Sequence, residues 1–502
     1  MLVNSIFLFI RLFVTLLSTL YISRVVLSEL GVSDYGLYNV VAGVITMLTF
    51  LTSAMTSSTL RFFSFELGKG VGRLTNIFRV TIFIYLIIIC VVIVLSQTLG
   101  LWFLNTKLSI SLERIDAAHY VFQISVITFI ISVLTAPFDA VIFSQERFKA
   151  YSIFGIVSIV FKLVSVIILK YAEWDKLVFY SATVLANNVV LFLMSFGYVV
   201  KCRFVTRLLP KWDYREFCIL SSYTGWNFFG NFSSVCYNQG VNILLNIYFG
   251  VTVNAARAVA NQVNAAVLGF TTNLNAAISP QIIKRYSKGD YKEMKCLVFR
   301  GSKYAFLLIS ILSLPILIYT DVLLTFWLVE VPPEAVLFTK LVVIDSLISG
   351  FSGSLKSSVE ATGRVKYYQM VIGGILLLNL PISYMILTTV KKPEVPFLIS
   401  ILLSLFAFQG RLVFIKLYHN ISLLEYYREV IIKSIIPIFI TLSVVYLIYA
   451  NVIFSSFEFE FIFINIVMFL SMLISIWYFS LDAEEKYYCN NLKNKIFGNR
   501  NG

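Results

Sequence analysis

The chain has 502 residues, of which 59% are hydrophobic and only 13% charged, and its mean hydropathy is +0.86. A soluble globular protein cannot bury so much apolar surface, so the composition excludes that class and indicates a polytopic membrane protein. The formal net charge is +14. Because basic residues of membrane proteins collect in cytoplasmic loops, this charge indicates topology, and we expect no nucleic-acid partner.

The N-terminal segment MLVNSIFLFIRLFVTLLSTLYISRVVL lacks a basic region before its apolar run and lacks an A-x-A cleavage site. We therefore expect it to be the first membrane helix. Apolar windows of about 20 residues predict an all-α membrane fold with about 14 transmembrane helices. The predicted spans are 6–27, 36–56, 79–99, 119–142, 151–171, 177–200, 219–248, 253–279, 299–319, 336–356, 367–389, 395–415, 431–450 and 459–480.

The loops are short and unequal in charge. Those after even-numbered spans, with the C-terminal tail, hold about four times as many Lys and Arg residues as the others, which predicts cytoplasmic termini. The largest outward loop, 101–118, cannot hold a soluble catalytic domain, and the sequence has no P-loop. Six cysteines without a CxxC pair and two distant histidines predict free thiols and no metal site. We therefore expect a protein that acts inside the membrane and is not an enzyme.

A weak internal repeat relates the two halves of the chain. A displacement of 219 residues places Gly31 on Gly250 and Lys69 on Lys288 without a gap. Six spans separate the matched positions, so the halves share one orientation around an axis along the membrane normal. The repeat predicts an N-terminal lobe at 1–205, a C-terminal lobe at 206–418, a central cavity, and two extra helices with a short tail at 419–502.

Polar side chains recur every three or four residues along the seventh and eighth spans, which places them on one face of each helix. A single asparagine commonly hydrogen-bonds a neighbouring helix, whereas a continuous stripe favours a water-filled cavity. We interpret both stripes as a cavity wall suited to sugar hydroxyls. The candidate cavity residues are Asn227, Asn231, Asn238, Asn242, Asn261, Gln262 and Asn264.

Charges inside predicted spans are functional candidates, because a charge in hydrocarbon is costly. Lys162 and Asp345 lie about 14–16 Å deep, and the alternative for each is a structural ion pair. Asp139, near the inner end of the fourth span, is a third candidate for a buried or coupling charge. Arg257 lies about 6 Å inside the outer edge and could face the cavity or extend to water. Three arginines nearer to span ends leave the same alternatives open: Arg11, Arg24 and Arg61.

Three segments carry a family resemblance. LGVSDYGLY contains an LG-x-x-DYG-x-Y turn, AISPQIIK ends the eighth span with A-x-x-P-x-I-x-K, and SVEATGRVK contains a small-residue GR motif. Together with the span number, topology and repeat, they make essentially the whole chain resemble the Wzx-type O-antigen and polysaccharide flippases. Those proteins belong to the multidrug/oligosaccharidyl-lipid/polysaccharide (MOP) exporter superfamily.

The resemblance implies two six-helix lobes in a bacterial inner (cytoplasmic) membrane. It implies that undecaprenyl-pyrophosphate-linked oligosaccharide moves from the cytoplasmic to the periplasmic leaflet by alternating access. A proton or sodium ion is the implied coupling ion, with Asp345 the first acid to test, and no other cofactor is expected. Membrane lipids, a polysaccharide polymerase and chain-length proteins are further expected partners. Cationic residues on spans one, two and eight would bind pyrophosphate, and here these are Arg11, Arg24, Arg61 and Arg257.

Two other activities within the superfamily remain alternatives. A cation-coupled multidrug antiporter usually needs acids in the lobe cavities, and predicted spans 1, 2, 7 and 8 contain none. A lipid II flippase is expected to carry paired arginines at the end of the second span, where this chain has LRFFSFELGKG. From other classes, a polymerase or ligase would need a large periplasmic loop, and a structural scaffold would leave the polar stripes unexplained.

Overall fold

A computed structural model describes residues 11–487 apart from short gaps, and gives only the backbone for a few helical residues such as Asn238. Every described residue between 11 and 41 is helical. Arg24, a predicted pyrophosphate ligand, lies outside the described residues. The gaps are 12–13, 16–17, 20, 23–24, 27, 31–33, 35–36, 39–40, 42–48, 70–73, 107–113, 172, 206–208, 250, 329–330, 453 and 455.

The described chain contains helices and no strand, so the predicted all-α fold class is confirmed. From residue 49 onward the helices are α1 Thr49–Lys69, α2 Leu74–Gly100, α3 Leu101–Thr106, α4 Ile115–Ser144, α5 Phe148–Leu169, α6 Lys176–Lys201, α7 Tyr214–Phe249, α8 Val251–Ser287, α9 Tyr291–Ile318, α10 Thr320–Trp327, α11 Ala335–Gly350, α12 Ser352–Thr362, α13 Lys366–Leu377, α14 Asn379–Thr389, α15 Val395–His419, α16 Leu423–Asn451 and α17 Phe457–Ser480.

Over the described residues, nine segments are long and apolar enough to cross a membrane, or ten if α11 and α12, bent by 41°, form one span. The chain is therefore a multi-pass membrane protein. The helices α7 and α8 are 36 and 37 residues long but are not among the nine. Their recurrent Asn, Gln and Ser residues, which predicted the polar stripes, also lower their hydropathy. The number of about 14 spans stays a prediction.

Some helices extend past the predicted spans. The helix α1 continues to Lys69, whereas the second predicted span ends at 56. The hydroxyl of Thr56 donates to the Thr52 carbonyl at 2.9 Å, and that of Ser58 to the Ala54 carbonyl at 2.8 Å. These hydroxyls are thus satisfied within their own helix, in a segment of low hydropathy.

The described chain forms two compact units. Unit 1 comprises Met1–Gly240, Asn273–Met294 and Ser357–Leu378. In its core the Phe78 ring lies 6.0 Å from the Phe63 ring and 5.5 Å from the Phe138 ring, so α1, α2 and α4 meet in one aromatic cluster. Unit 1 thus contains segments of both predicted lobes. The lobe boundaries at 205 and 418 stay a prediction.

Unit 2 comprises Val241–Thr272, Lys295–Lys356 and Asn379–Gly502. The Phe306 and Phe351 rings stack 4.1 Å apart, and the Phe338 and Phe397 rings lie 4.4 Å apart. These contacts join α9 to the α11–α12 bend, and α11 to α15. The C-terminal helices α16 and α17 pack together as a pair within this unit.

Candidate functional site

Lys162 lies on the face of α5 that packs into the protein. Lys162 lies three or four residues from buried positions of α5 on either side, which places it on the same helical face. The exposed aliphatic residues occupy the opposite face. Lys162 is itself exposed. Its exposure is therefore to a cavity within unit 1. The buried positions on its face are Gly155, Ser158, Ile159, Ser165, Val166 and Leu169.

The Lys162 cavity has a volume of about 260 Å³. Its other polar lining residues all carry hydroxyl groups, and the Tyr38 and Tyr180 rings meet edge to face 4.9 Å apart. None of its lining residues, all within the described chain, is acidic. One ammonium group with several hydroxyls can bind anionic oxygens and hydroxylated groups together. The hydroxyl residues are Thr19, Tyr38, Ser165, Tyr180 and Thr183.

Arg11 interacts electrostatically with Lys162 and with Asp139, although neither Arg11 nor Asp139 lines the Lys162 cavity. The Arg11 guanidinium lies 4.2 Å from the centre of the Tyr151 ring, and a Cβ added to Gly155 would lie 2.1 Å from Arg11 Nε. The Asp139 carboxylate accepts a hydrogen bond of 2.7 Å from the Ser195 hydroxyl. Two predicted candidates, Arg11 and Asp139, therefore belong to one group with Lys162.

Arg61 is buried at the Lys69 end of α1, with 7% of its surface exposed. Its Nε donates to the Glu360 carbonyl at 3.1 Å, and its Nη2 donates to the Ala361 carbonyl at 3.3 Å. The guanidinium also lies 4.7 Å from the Phe62 ring centre. It is fixed at the wall of a second cavity in unit 1, of about 560 Å³. We call this cavity the basic pocket, and its polar lining residues are Arg61, Cys218, Ser222, Tyr223, Trp226, Thr362, Arg364 and Lys366.

Sequence reasoning missed two cations of the basic pocket. Arg364 is the arginine of the GR motif and Lys366 lies two residues after it, but the prevalence of basic residues in inward loops already accounted for both. Both are exposed, and the Lys366 ammonium lies 5.3 Å from the centre of the Trp226 ring. The signal that could have found them was the coincidence of a motif glycine with two adjacent cations.

Arg257 lies in unit 2, with 5% of its surface exposed. Its guanidinium is 5.6 Å from the centre of the Phe397 ring on α15. Its helical neighbours Ala256 and Ala260 belong to the same buried cluster as Phe338 and Phe397. The structure therefore places this arginine against packed helices. Its predicted role toward pyrophosphate stays a prediction.

Asn227 hydrogen-bonds neighbouring helices. Its Nδ2 donates to the Ser58 hydroxyl at 3.1 Å, and its Oδ1 accepts from Gln369 Nε2 at 2.7 Å. Asn227 is 1% exposed, which fits an interhelical contact. On the same helix, Asn231 donates to the Asn227 carbonyl at 2.9 Å.

The other polar-stripe residues differ in exposure. Asn261 and Gln262 on α8 are exposed, whereas Asn242 on α7 is half-buried. Asn264 accepts a hydrogen bond from the Ser346 hydroxyl on α11, next to the half-buried Asp345. The side chain of Asn238 is outside the described part of the chain. The stripes thus combine interhelical contacts with exposed amides.

Residues 228–385 match the MatE family. The membrane protein EpsK of Bacillus subtilis (strain 168) is 23% identical over 282 residues, and the alignment covers 54% of each chain. The chain thus spans about half the length of this relative.

Solved structures match more of the chain. An outward-facing multidrug resistance MATE family transporter of the MOP superfamily aligns with a TM-score of 0.73 and 11% identity, over 83% of this chain and 94% of the other. A MOP superfamily transporter from Pyrococcus furiosus, whose binding pocket is described as reversed in polarity, aligns with a TM-score of 0.67 and 13% identity, over 83% and 95%. The fold is therefore the two-lobed fold of the MATE transporters, as predicted.

Proposed function

We propose that this protein is a flippase that moves a polyprenyl-pyrophosphate-linked oligosaccharide across a bacterial inner membrane by alternating access. The Lys162 cavity is the observation that carries this proposal. It joins an intramembrane ammonium to five hydroxyl-bearing side chains and has no acidic residue among its described lining. A cavity of this chemistry suits an anionic, hydroxylated cargo better than a cationic drug.

The groups divide by chemistry. The Lys162 ammonium, with three donors, is suited to a phosphate oxygen, and the hydroxyls of Tyr38, Tyr180 and Thr183 to sugar hydroxyls. The exposed aliphatic face of α5, including Val160 and Val164, offers an apolar surface for the polyprenyl chain. That the oligosaccharide is of the O-antigen type is supported only by the family resemblance described above. A proton or sodium ion is the proposed coupling ion.

Reconstituted liposomes test this role of Lys162. We expect Lys162→Gln to slow the transfer of undecaprenyl-pyrophosphate-linked oligosaccharide about tenfold, because hydrogen bonds to charged groups contribute roughly 1.5–3 kcal/mol. Lys162→Arg should retain much of the rate. Lys170→Gln, at an exposed lysine beyond the end of α5, is the matched control and should stay within about twofold of the wild type. Transfer by Lys162→Gln at the wild-type rate would refute the proposal.

A cation-coupled multidrug antiporter is the second candidate, and Asp139 favours it. The half-buried Asp139 carboxylate accepts a hydrogen bond from Ser195 and interacts electrostatically with Arg11, and such a group could exchange a proton or sodium ion. In that case Asp139→Asn should abolish drug export and the coupled cation flux, and wild-type liposomes should move drugs and no lipid-linked oligosaccharide. Asp116→Asn, at an exposed carboxyl in the first turn of α4, is the control.

A further inference from the structure

Another cavity of unit 1 is lined by residues of α4, α5 and α6. Its volume is about 750 Å³, within the range of small-ligand sites. Thr183 lines both this cavity and the Lys162 cavity, and Phe161 of this cavity directly precedes Lys162 in the chain. The two cavities are therefore neighbours. We call this one the outer pocket, and its apolar lining residues are Ala117, Phe161, Val178, Phe179, Ala182 and Ala186.

The outer pocket is as long as one leaflet of a bilayer. Its charged lining residues belong to the segments 114–116 and 174–175, which lie where the loop charges predict the outer edge of the membrane. From Asp175, the N-cap of α6, to Ala186 the helix advances about 16 Å. The hydrocarbon core of a bilayer is about 30 Å thick. The pocket thus matches a lipid of the predicted outer leaflet, with its headgroup at the loops and an acyl chain along α6.

The charges at the mouth of the outer pocket disfavour an anionic headgroup. The Arg114 guanidinium lines the mouth, but it donates hydrogen bonds to Asp34 at 2.5 Å and to Asp175. Asp116 lines the same mouth, so one cation lies among three carboxylates. The ammonium of the adjacent Lys176 is offset by an ion pair of 2.9 Å with a glutamate. This negative balance favours a headgroup that carries a cation over one that carries only an anion.

Two exposed aromatic rings at the mouth offer a surface for an ammonium group. Trp174 is 79% exposed and Tyr120 is 64% exposed, and both line the pocket. The face of an aromatic ring attracts a cation, and the attraction is strongest for tryptophan. A primary ammonium also has three N–H donors for carboxylate oxygens, whereas a trimethylammonium has none. The mouth therefore suits a primary ammonium better than a trimethylammonium.

We propose that the outer pocket binds one phospholipid of the predicted outer leaflet whose headgroup carries a primary ammonium, of the phosphatidylethanolamine class. Its acyl chain lies against Phe161, Phe179 and Ala182, and its ammonium lies at Trp174. This inference does not depend on the proposed function, because it assigns no role to the transported cargo. The bound lipid lies beside the Lys162 cavity at Thr183.

Native mass spectrometry of the purified full chain tests the choice of lipid. The chain is stripped of copurified lipid by detergent exchange and then titrated with phosphatidylethanolamine, phosphatidylcholine and phosphatidylglycerol of identical acyl chains. We expect one phosphatidylethanolamine per chain to bind saturably and about fivefold more tightly than either other lipid. Binding of phosphatidylethanolamine that is absent, or no tighter than that of either other lipid, overturns the proposal.

A space-filling variant tests whether this lipid occupies the outer pocket. Ala182→Phe fills the apolar part of the pocket and should weaken phosphatidylethanolamine binding about tenfold. The matched control is Leu193→Phe, at an exposed position of the same helix outside the pocket lining, which should stay within about twofold of the wild type. Equal thermal unfolding midpoints would show that both variants are folded. Unchanged binding in Ala182→Phe overturns the proposal.

A headgroup variant tests the role of the aromatic mouth. Trp174→Leu should weaken phosphatidylethanolamine binding about threefold, because the aromatic face that attracts the ammonium is lost. Trp327→Leu, at an exposed tryptophan of α10 outside the pocket lining, is the matched control and should bind like the wild type. If Trp174→Leu binds phosphatidylethanolamine as tightly as Trp327→Leu does, the proposed headgroup recognition is wrong.

Discussion

At the scale of single residues, one network of side-chain hydrogen bonds shows how an amide is accommodated among membrane helices. Ser58, Asn227 and Gln369 connect α1, α7 and α13 within unit 1, and each is less than 7% exposed. Gly230 leaves room for the Gln369 side chain of this network, because a Cβ at residue 230 would lie 2.0 Å from Gln369 Oε1. The polar groups are thus satisfied, and their position depends on a glycine one turn away.

Gly230→Ala should destabilise the protein by about 1–3 kcal/mol, because the added methyl displaces Gln369 and leaves buried polar groups without partners. Gly225→Ala on the same helix is the matched control, since nothing lies within 4 Å of its added Cβ. Alanine there should be neutral or stabilising by up to about 1 kcal/mol. Thermal unfolding in detergent measures both variants. Equal midpoints for the two would contradict this account.

At the scale of elements, the turn between α4 and α5 is tied to α8. Glu146 has a left-handed φ of 57°, and its carboxylate accepts hydrogen bonds from Lys284 Nζ at 2.9 Å and Gln281 Nε2 at 3.0 Å. Phe148, at the start of α5, is buried against Ala277 of α8. One ion pair and one apolar contact thus hold the α4–α5 turn on α8 within unit 1.

Charge reversal tests the ion pair of this turn. Glu146→Lys and Lys284→Glu should each lower the free energy of unfolding by about 1 kcal/mol, because each places like charges together. The double variant should recover most of the loss. Lys288→Glu, at an exposed lysine one turn farther along, should have little effect. A double variant less stable than both single variants would show that the pair does not act through charge.

At the scale of the whole molecule, ion pairs fasten the end of α17 to the rest of unit 2. Lys303 on α9 donates to Glu485 at 2.8 Å and to the Ser480 carbonyl at 2.9 Å. Asp482 accepts from Lys433 on α16 at 2.5 Å. Both Lys303 and Glu485 are almost fully buried, so removing either partner would leave a buried charge.

This ionic cluster predicts a pH dependence. Burial alone would raise the pKa of Asp482, but the hydrogen bond from Lys433 and the nearby Lys303 charge hold it below the ordinary 3.8. Its stabilising contribution is therefore complete above that value and is lost as pH falls through the lower, folded-state pKa. We expect thermal stability below pH 3.8 to fall more steeply in the wild type than in Asp482→Asn. Glu173→Gln, at an exposed loop carboxyl, should follow the wild type.

The sequence predicted the fold well because apolar span length depends on local composition alone. Depth within a span likewise singled out Lys162, since a central charge cannot reach water easily. Periodicity showed that Asn227 shares a helix face with the other polar residues of the seventh span. It could not show that Ser58 and Gln369, on other helices, contact Asn227. The pocket of Arg61, Arg364 and Lys366 depends on residues about 300 positions apart in the chain. Such pairings arise from tertiary packing, which no local pattern encodes.

The basic pocket also contains a thiol. Cys218 lines this pocket, is exposed and forms no disulfide. Alkylation of Cys218 by a maleimide would therefore compete directly with whatever occupies the cavity. The rate at which Cys218 is labelled would therefore report whether the pocket is occupied, and a bulky adduct on Cys218 would block the pocket.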